Sequence, residues 1–142
     1  MKKLDVYLSN LAVANTYLHN LHWNLSGDKA FKEAHVYLED LYTQAFEYFD
    51  EVAELQIMLG QKPLSSMNDY MNNATLKDLE KTEFTVTEAL EYALKYVRLM
   101  KELTLEVREQ ADEDGTFVIA NMMEDHYTEY IKHEWFLSSM LK

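Results

Sequence analysis

A chain of 142 residues, 48% of them hydrophobic, is long enough for one domain with a substantial core, and 3 Gly with 1 Pro argue against a loop-rich all-β fold. The lack of cysteine excludes disulfide frameworks, thiolate metal sites, iron–sulfur clusters and cysteine nucleophiles. A formal net charge of −12, from 13 basic and 25 acidic side chains, opposes binding to nucleic-acid phosphates and attracts cations. Lys2 and Lys3 open the chain, but Asp5, Ser9 and Asn10 interrupt any apolar signal core and no long apolar run follows. The expectation is a soluble, cytoplasmic protein with no membrane span.

Four long stretches carry a helical hydrophobic period. The first places Leu4, Leu8, Leu11, Asn15, Leu18, His22 and Leu25 on one stripe and ends at Gly27, so His22 stands where a core residue would. A turn centred near Asp28 or Lys29 leads to the second, with Ala34, Leu38, Leu41, Ala45, Tyr48, Val52, Leu55 and Leu59 on its stripe before Gly60 and Pro63. About 25 residues follow, from Gly60 to Phe84, a length that suits a crossover along a four-helix bundle. Leu64, Met67, Tyr70 and Met71 predict a short amphipathic helix inside it. The third stretch runs from Val86 to Ala111 and opens on Thr85 with Glu88 three residues on, a capping-box signature. The fourth follows Gly115 through Ile119, Met122, His126, Tyr130, His133 and Leu137. The pattern predicts an all-α single domain over 1–142, a four-helix bundle with a short extra helix between its second and third long helices.

The second long helix carries another stripe beside its core face: His35, Glu39, Phe46, Asp50 and Glu54, with Tyr42 and Phe49 at its margins. A helix buried on one side normally presents a polar opposite face, so aromatics mixed with acids and a histidine predict a subunit interface. Imidazoles and carboxylates together form a ligand set for iron, zinc or manganese. Residues equidistant from the first turn face each other, which sets His22 opposite His35, and Asp50 and Glu54 lie one helical turn apart. The two pairs are too far apart to meet in one chain, since His35 and Asp50 are separated by roughly 22 Å at about 1.5 Å per residue. Two copies of this helix packed antiparallel about a two-fold axis near Thr43 and Gln44 would bring each imidazole pair to the partner's carboxylate pair, giving two identical sites.

Plainer readings stand beside this one. His126 and His133 read as hydrogen-bonded core histidines, His19 as a helix-end or supporting residue, and Asp50 with Glu54, taken alone, as a solvated acidic pair. Asp112, Glu113, Asp114, Glu124 and Asp125 line either a cation entry pore or an ordinary solvated turn. Trp23 either packs an interface or takes up stray oxidising equivalents. The Glu-x-x-His pattern of intrachain di-iron bundles is missing: Thr16, His19, Lys32, Met123 and Tyr130 stand three residues before the five histidines.

The segments His22-Trp23-Asn24-Leu25-Ser26-Gly27, Phe31 with His35, Asp50-Glu51-Val52-Ala53-Glu54, Gly60-Gln61-Lys62-Pro63 and Lys132-His133-Glu134-Trp135-Phe136-Leu137 together resemble the Dps family of ferritin-like mini-ferritins over nearly the whole chain. The resemblance implies a ferritin-like four-helix bundle assembled as a hollow homo-dodecamer. It also implies ferroxidase sites at two-fold interfaces, with His22 and His35 from one subunit, Asp50 and Glu54 from its neighbour, and Glu39 as a further acidic ligand. The implied substrates are iron, taken as Fe(II) and stored as Fe(III), and hydrogen peroxide, with protection against oxidative stress as the result. The stretch between His22 and His35 is one residue longer than in the family's usual pattern. Leu55 replaces a usual arginine, and the basic tail of DNA-binding members is reduced to Lys2 and Lys3. DNA binding is therefore not expected. The rival readings are a shell that mainly coats DNA and a helical scaffold whose site is vestigial or holds zinc.

Overall fold

The computed structural model describes residues 2–27, 29–80 and 82–142. Five helices follow one another: α1 (Lys2–Trp23), α2 (Phe31–Met58), α3 (Met67–Asn73), α4 (Val86–Asp114) and α5 (Phe117–Met140). Asp28, one of the two residues expected at the centre of the first turn, lies outside the described residues. The four long helices form an all-α bundle, with α1 against α2 and α4 against α5 as its most extensive pairings.

Local chemistry sets the helix boundaries. Thr85 accepts from the Glu88 amide at 3.1 Å while the Glu88 carboxylate accepts from the Thr85 amide at 3.0 Å, so two otherwise orphaned donors are satisfied before α4 begins. At its far end Gly115 takes a left-handed conformation, φ 73°, and the Thr116 amide reaches back to the Ala111 carbonyl at 2.8 Å. This closes α4 and turns the chain directly into α5.

The long connection is tied to α1 by polar side chains. Asn10 is fully buried, and its carboxamide oxygen accepts from the Thr75 and Leu76 amides at 2.8 and 2.9 Å. Asn20 donates to the Leu79 carbonyl at 2.8 Å. A short parallel bridge then pairs Leu25 with Phe84. The start of α4 therefore lies beside the end of α1, while Lys3 at the start of α1 reaches Glu106 near the end of α4 at 2.7 Å. With α4 antiparallel to α1, it runs parallel to α2, as the long crossover requires.

Three sequence expectations are corrected. Asn15, expected on the buried stripe of α1, is exposed, because that stripe is centred on Leu4, Leu8, Leu11, Ala14, Leu18 and Leu21. Met67 and Met71 of α3 are exposed, and the short helix is held by Leu64 and Tyr70, whose hydroxyl donates to the Leu64 carbonyl at 2.9 Å. Leu59 is also exposed, because it lies just past the end of α2.

Candidate metal centre

His22 falls in the last turn of α1 and His35 in the second turn of α2, and the α1–α2 hairpin stacks their rings at a centroid separation of 3.6 Å and 16° between planes. Each histidine is held by the other's backbone. His22 Nδ1 donates to the His35 carbonyl at 2.7 Å, and His35 Nδ1 donates to the His22 carbonyl at 2.9 Å. A carbonyl oxygen only accepts, so both Nδ1 atoms carry a proton, and in a neutral ring held this way the lone pair falls on Nε2. The His22 carbonyl is available because it belongs to the final helical turn, whose carbonyls have no intrahelical donor. The His35 carbonyl uses its second lone pair.

The surroundings reinforce this state. His22 is buried, and burial, helped by the neighbouring His35 and His19, holds its imidazole below the ordinary pKa although its backbone hydrogen bond and Glu39 act the other way. A neutral ring with a fixed tautomer is the form that binds a metal cation. Tyr42 sets its edge to His22 at 5.2 Å, and Phe31 stacks on His35 at 5.4 Å. His19 stacks on Tyr42 at 3.8 Å and fixes its own ring through Nδ1 on the Asn15 carbonyl at 2.7 Å. It thus supports the aromatic wall beside the pair. Trp23 is 71% exposed next to this cluster.

Asp50 and Glu54 lie elsewhere. They are exposed on the distal half of α2 and have no hydrogen bond or ion pair among the described residues. Glu39, also exposed, is one turn beyond His35. Among the described residues no three His, Asp or Glu side chains of one chain gather as a metal site. The structure therefore brings His22 and His35 together and leaves Asp50 and Glu54 apart from them, farther along α2. Between them Phe46 is 67% exposed, a large aromatic side chain open to solvent beside acids.

The remaining sequence candidates find other partners. His126 is buried between Tyr7 and Glu51, and His133 is buried with Nδ1 2.5 Å from the Tyr37 hydroxyl, so both are hydrogen-bonded core histidines. Of the acids near the α4–α5 turn, Asp112 and Glu124 are bound by Arg108 at 3.1 and 2.6 Å. Residue-type patterns did not reveal the reciprocal carbonyl contacts, because a backbone acceptor leaves no signature in the sequence. They also missed the partnership of Glu51 with His126; its only sequence signal is that Glu51 lies beside Asp50.

No helix is long and apolar enough to cross a membrane among the described residues. A ferritin-like domain model matches residues 1–142. DNA protection during starvation protein 2 of Bacillus anthracis is 30% identical over 142 residues, covering 97% of this chain and 93% of the relative. The crystal structure of Helicobacter cinaedi CAIP superposes with a TM-score of 0.93 at 31% identity, covering 99% of this chain and 97% of that one. Dps from Staphylococcus aureus superposes with a TM-score of 0.93 at 28% identity over 99% of this chain and 93% of that one. The chain, an all-α bundle with a histidine pair set in its first hairpin, belongs to the ferritin-like family and within it to the Dps proteins.

Proposed function

We propose that the protein binds Fe(II) at sites shared between two subunits, oxidises it with hydrogen peroxide and stores the ferric product in a hollow homo-dodecameric shell. The observation that carries this reading is the reciprocal locking of His22 and His35, which fixes both Nδ1 atoms on carbonyls and leaves both Nε2 atoms for a metal. Asp50 and Glu54 of a second copy supply the carboxylates, with Glu39 as a further acid on the histidine side. Imidazoles hold Fe(II), and the carboxylates stabilise the harder Fe(III) that forms. Peroxide takes the electrons, so Fe(II) is removed before it generates radicals near DNA. The names of the relatives, which refer to DNA protection during starvation, are consistent with such chemical protection.

Direct DNA coating is the weaker reading. The chain carries −12, and Lys3, half of its basic start, is already paired with Glu106. A zinc-holding scaffold would share the same ligands but leave no ferric product. The test is anaerobic loading with Fe(II) followed by peroxide, reading ferric absorbance and particle mass together. Stoichiometric loss of peroxide with iron retained in the particle is expected. Iron that stays unbound, or oxidises no faster than in buffer, defeats the reading.

A further inference from the structure

All four long helices contribute to a second polar cluster, separate from the histidine pair. His126 Nε2 of α5 is 2.7 Å from a Glu51 carboxylate oxygen of α2, its Nδ1 is 2.8 Å from the Tyr7 hydroxyl of α1, and that hydroxyl is 2.9 Å from the Tyr130 hydroxyl. Tyr96 of α4 is buried beside them and interacts with Tyr130. The directions are fixed from the outside inward. A carboxylate only accepts, so Nε2 carries the imidazole proton; burial keeps the ring neutral, so Nδ1 accepts from Tyr7, and Tyr7 accepts from Tyr130. Tyr7 and Tyr130 are fully enclosed, whereas Glu51 is 53% exposed at its side chain.

A buried phenol in a bundle centre is normally replaceable by Phe or Leu, because desolvating a hydroxyl is costly. Here the hydroxyl faces a base. A tyrosine that loses an electron becomes a strong acid, so in a dry core its oxidation requires a neighbour that takes the proton at once. His126 Nδ1 is that neighbour, and the Glu51 carboxylate on the other side of the ring stabilises the imidazolium. Tyr48 supplies a route inward. It is half-buried, its ring stacks on His126 at 3.5 Å and 5° between planes, and it meets Tyr130 edge-on at 6.1 Å. Its hydroxyl has no hydrogen-bond partner among the described residues. Glu51 and Tyr48, one turn apart on α2, form the partly exposed edge of the cluster.

We propose that Tyr7, with His126 as its proton acceptor and Tyr48 as the entry point, is a sink for single oxidising equivalents. A hydroxyl radical takes the hydrogen atom of the Tyr48 hydroxyl and becomes water, leaving a Tyr48 phenoxyl radical. An electron from Tyr7 reduces that radical, Tyr48 regains a proton from solvent, and the Tyr7 proton moves to His126 Nδ1. One electron is transferred, and the unpaired spin ends on the enclosed Tyr7 oxygen, where neither solvent nor another chain reaches it. The source of the radical, Fe(II) meeting peroxide, rests on the function proposed above; the relay does not.

The experiment is electron paramagnetic resonance on the assembled protein, with two ways of supplying the oxidant. One is a flash-oxidised ruthenium complex without iron, and the other is Fe(II) with peroxide. Both are expected to give a tyrosyl signal that outlives the signals of exposed tyrosines and collapses in width when the protein carries ring-deuterated tyrosine. Tyr7→Phe is expected to abolish the long-lived signal. His126→Gln is expected to shorten its life, and Tyr48→Leu to lower its yield without changing its shape. A long-lived signal with ruthenium alone supports the relay and shows that iron with peroxide releases no radical to it. An unchanged signal in Tyr7→Phe, in a variant that assembles normally, overturns the proposal, as does a wild-type signal that decays with those of exposed tyrosines.

Discussion

The shared-site reading makes a quantitative prediction for mixed subunits. In a two-fold dimer each site takes its imidazoles from one chain and its carboxylates from the other, and the reverse holds for the second site. His35→Ala removes one side chain of the stacked pair, and Asp50→Ala removes a carboxylate exposed at the far end of α2, so neither is expected to unfold the bundle. Each variant alone carries a defect in both sites of its dimer and is expected to lose most Fe(II) binding. In a mixed dimer the two defects fall together in one site and the other is intact. Random pairing of equal amounts makes about half of the dimers mixed, and half of their sites whole, so about a quarter of all sites are restored. The assay is anaerobic Fe(II) titration of co-expressed variants, with native mass spectrometry to count mixed dimers. A site built within one chain restores nothing. Zero recovery in a population shown to contain mixed dimers would refute the half-site geometry.

Other predictions follow from the same surfaces and groups. Light scattering at micromolar concentration should find a large closed oligomer, because α2 exposes Phe46 beside its acids; a monomer mass would remove the shared site as well. Plasmid should not be retained at roughly 0.15 M salt with a chelator present, since binding needs clustered cations; micromolar retention would show that the surface has been misread. His22, His126 and His133 are each held below the ordinary imidazole pKa, chiefly by burial. The unfolded chain therefore takes up their protons first, so their contribution to stability is complete above about pH 6.5 and declines as pH falls toward the lower folded values. Thermal unfolding between pH 7 and 5.5 should show that slope, and His133→Gln should flatten it; an unchanged slope would mean that His133 is not the buried neutral group described. The lowered carboxyl of Glu134, paired with Lys101 and Arg98, acts only in the more acidic carboxylate range and does not interfere.

The bundle was legible where a residue type has one local use. Thr85 with Glu88 marked the start of α4, Gly115 marked its end, and the period of α5 placed His126, Tyr130 and His133 in the core, where they are. Periodicity failed at Asn15 because it counts apolar steps. It gives no sign that Asn10, a polar residue, is buried to hold the backbone of the long connection. The pairing of His22 with His35 followed from their equal distance from a turn. The way each ring is held did not, because its partner is a peptide carbonyl. Met67 and Met71 have helical spacing yet face solvent, since a helix of seven residues can share the period of a core helix without reaching the core.

The crossed bonds between His22 and His35 also bear on the loop that joins their helices. A hairpin whose register depended on its turn would shift one helix along the other whenever the turn changed length. Here the register is pinned from inside the helices by two bonds of opposite direction, each fixing one backbone against the other's ring. The intervening stretch then only has to span the gap. Extra residues cost little, since loop-closure entropy grows slowly, by about 0.6 kcal/mol for each doubling of length. A change of length in the stretch between the two histidines can therefore be absorbed in the loop, with both rings left in place.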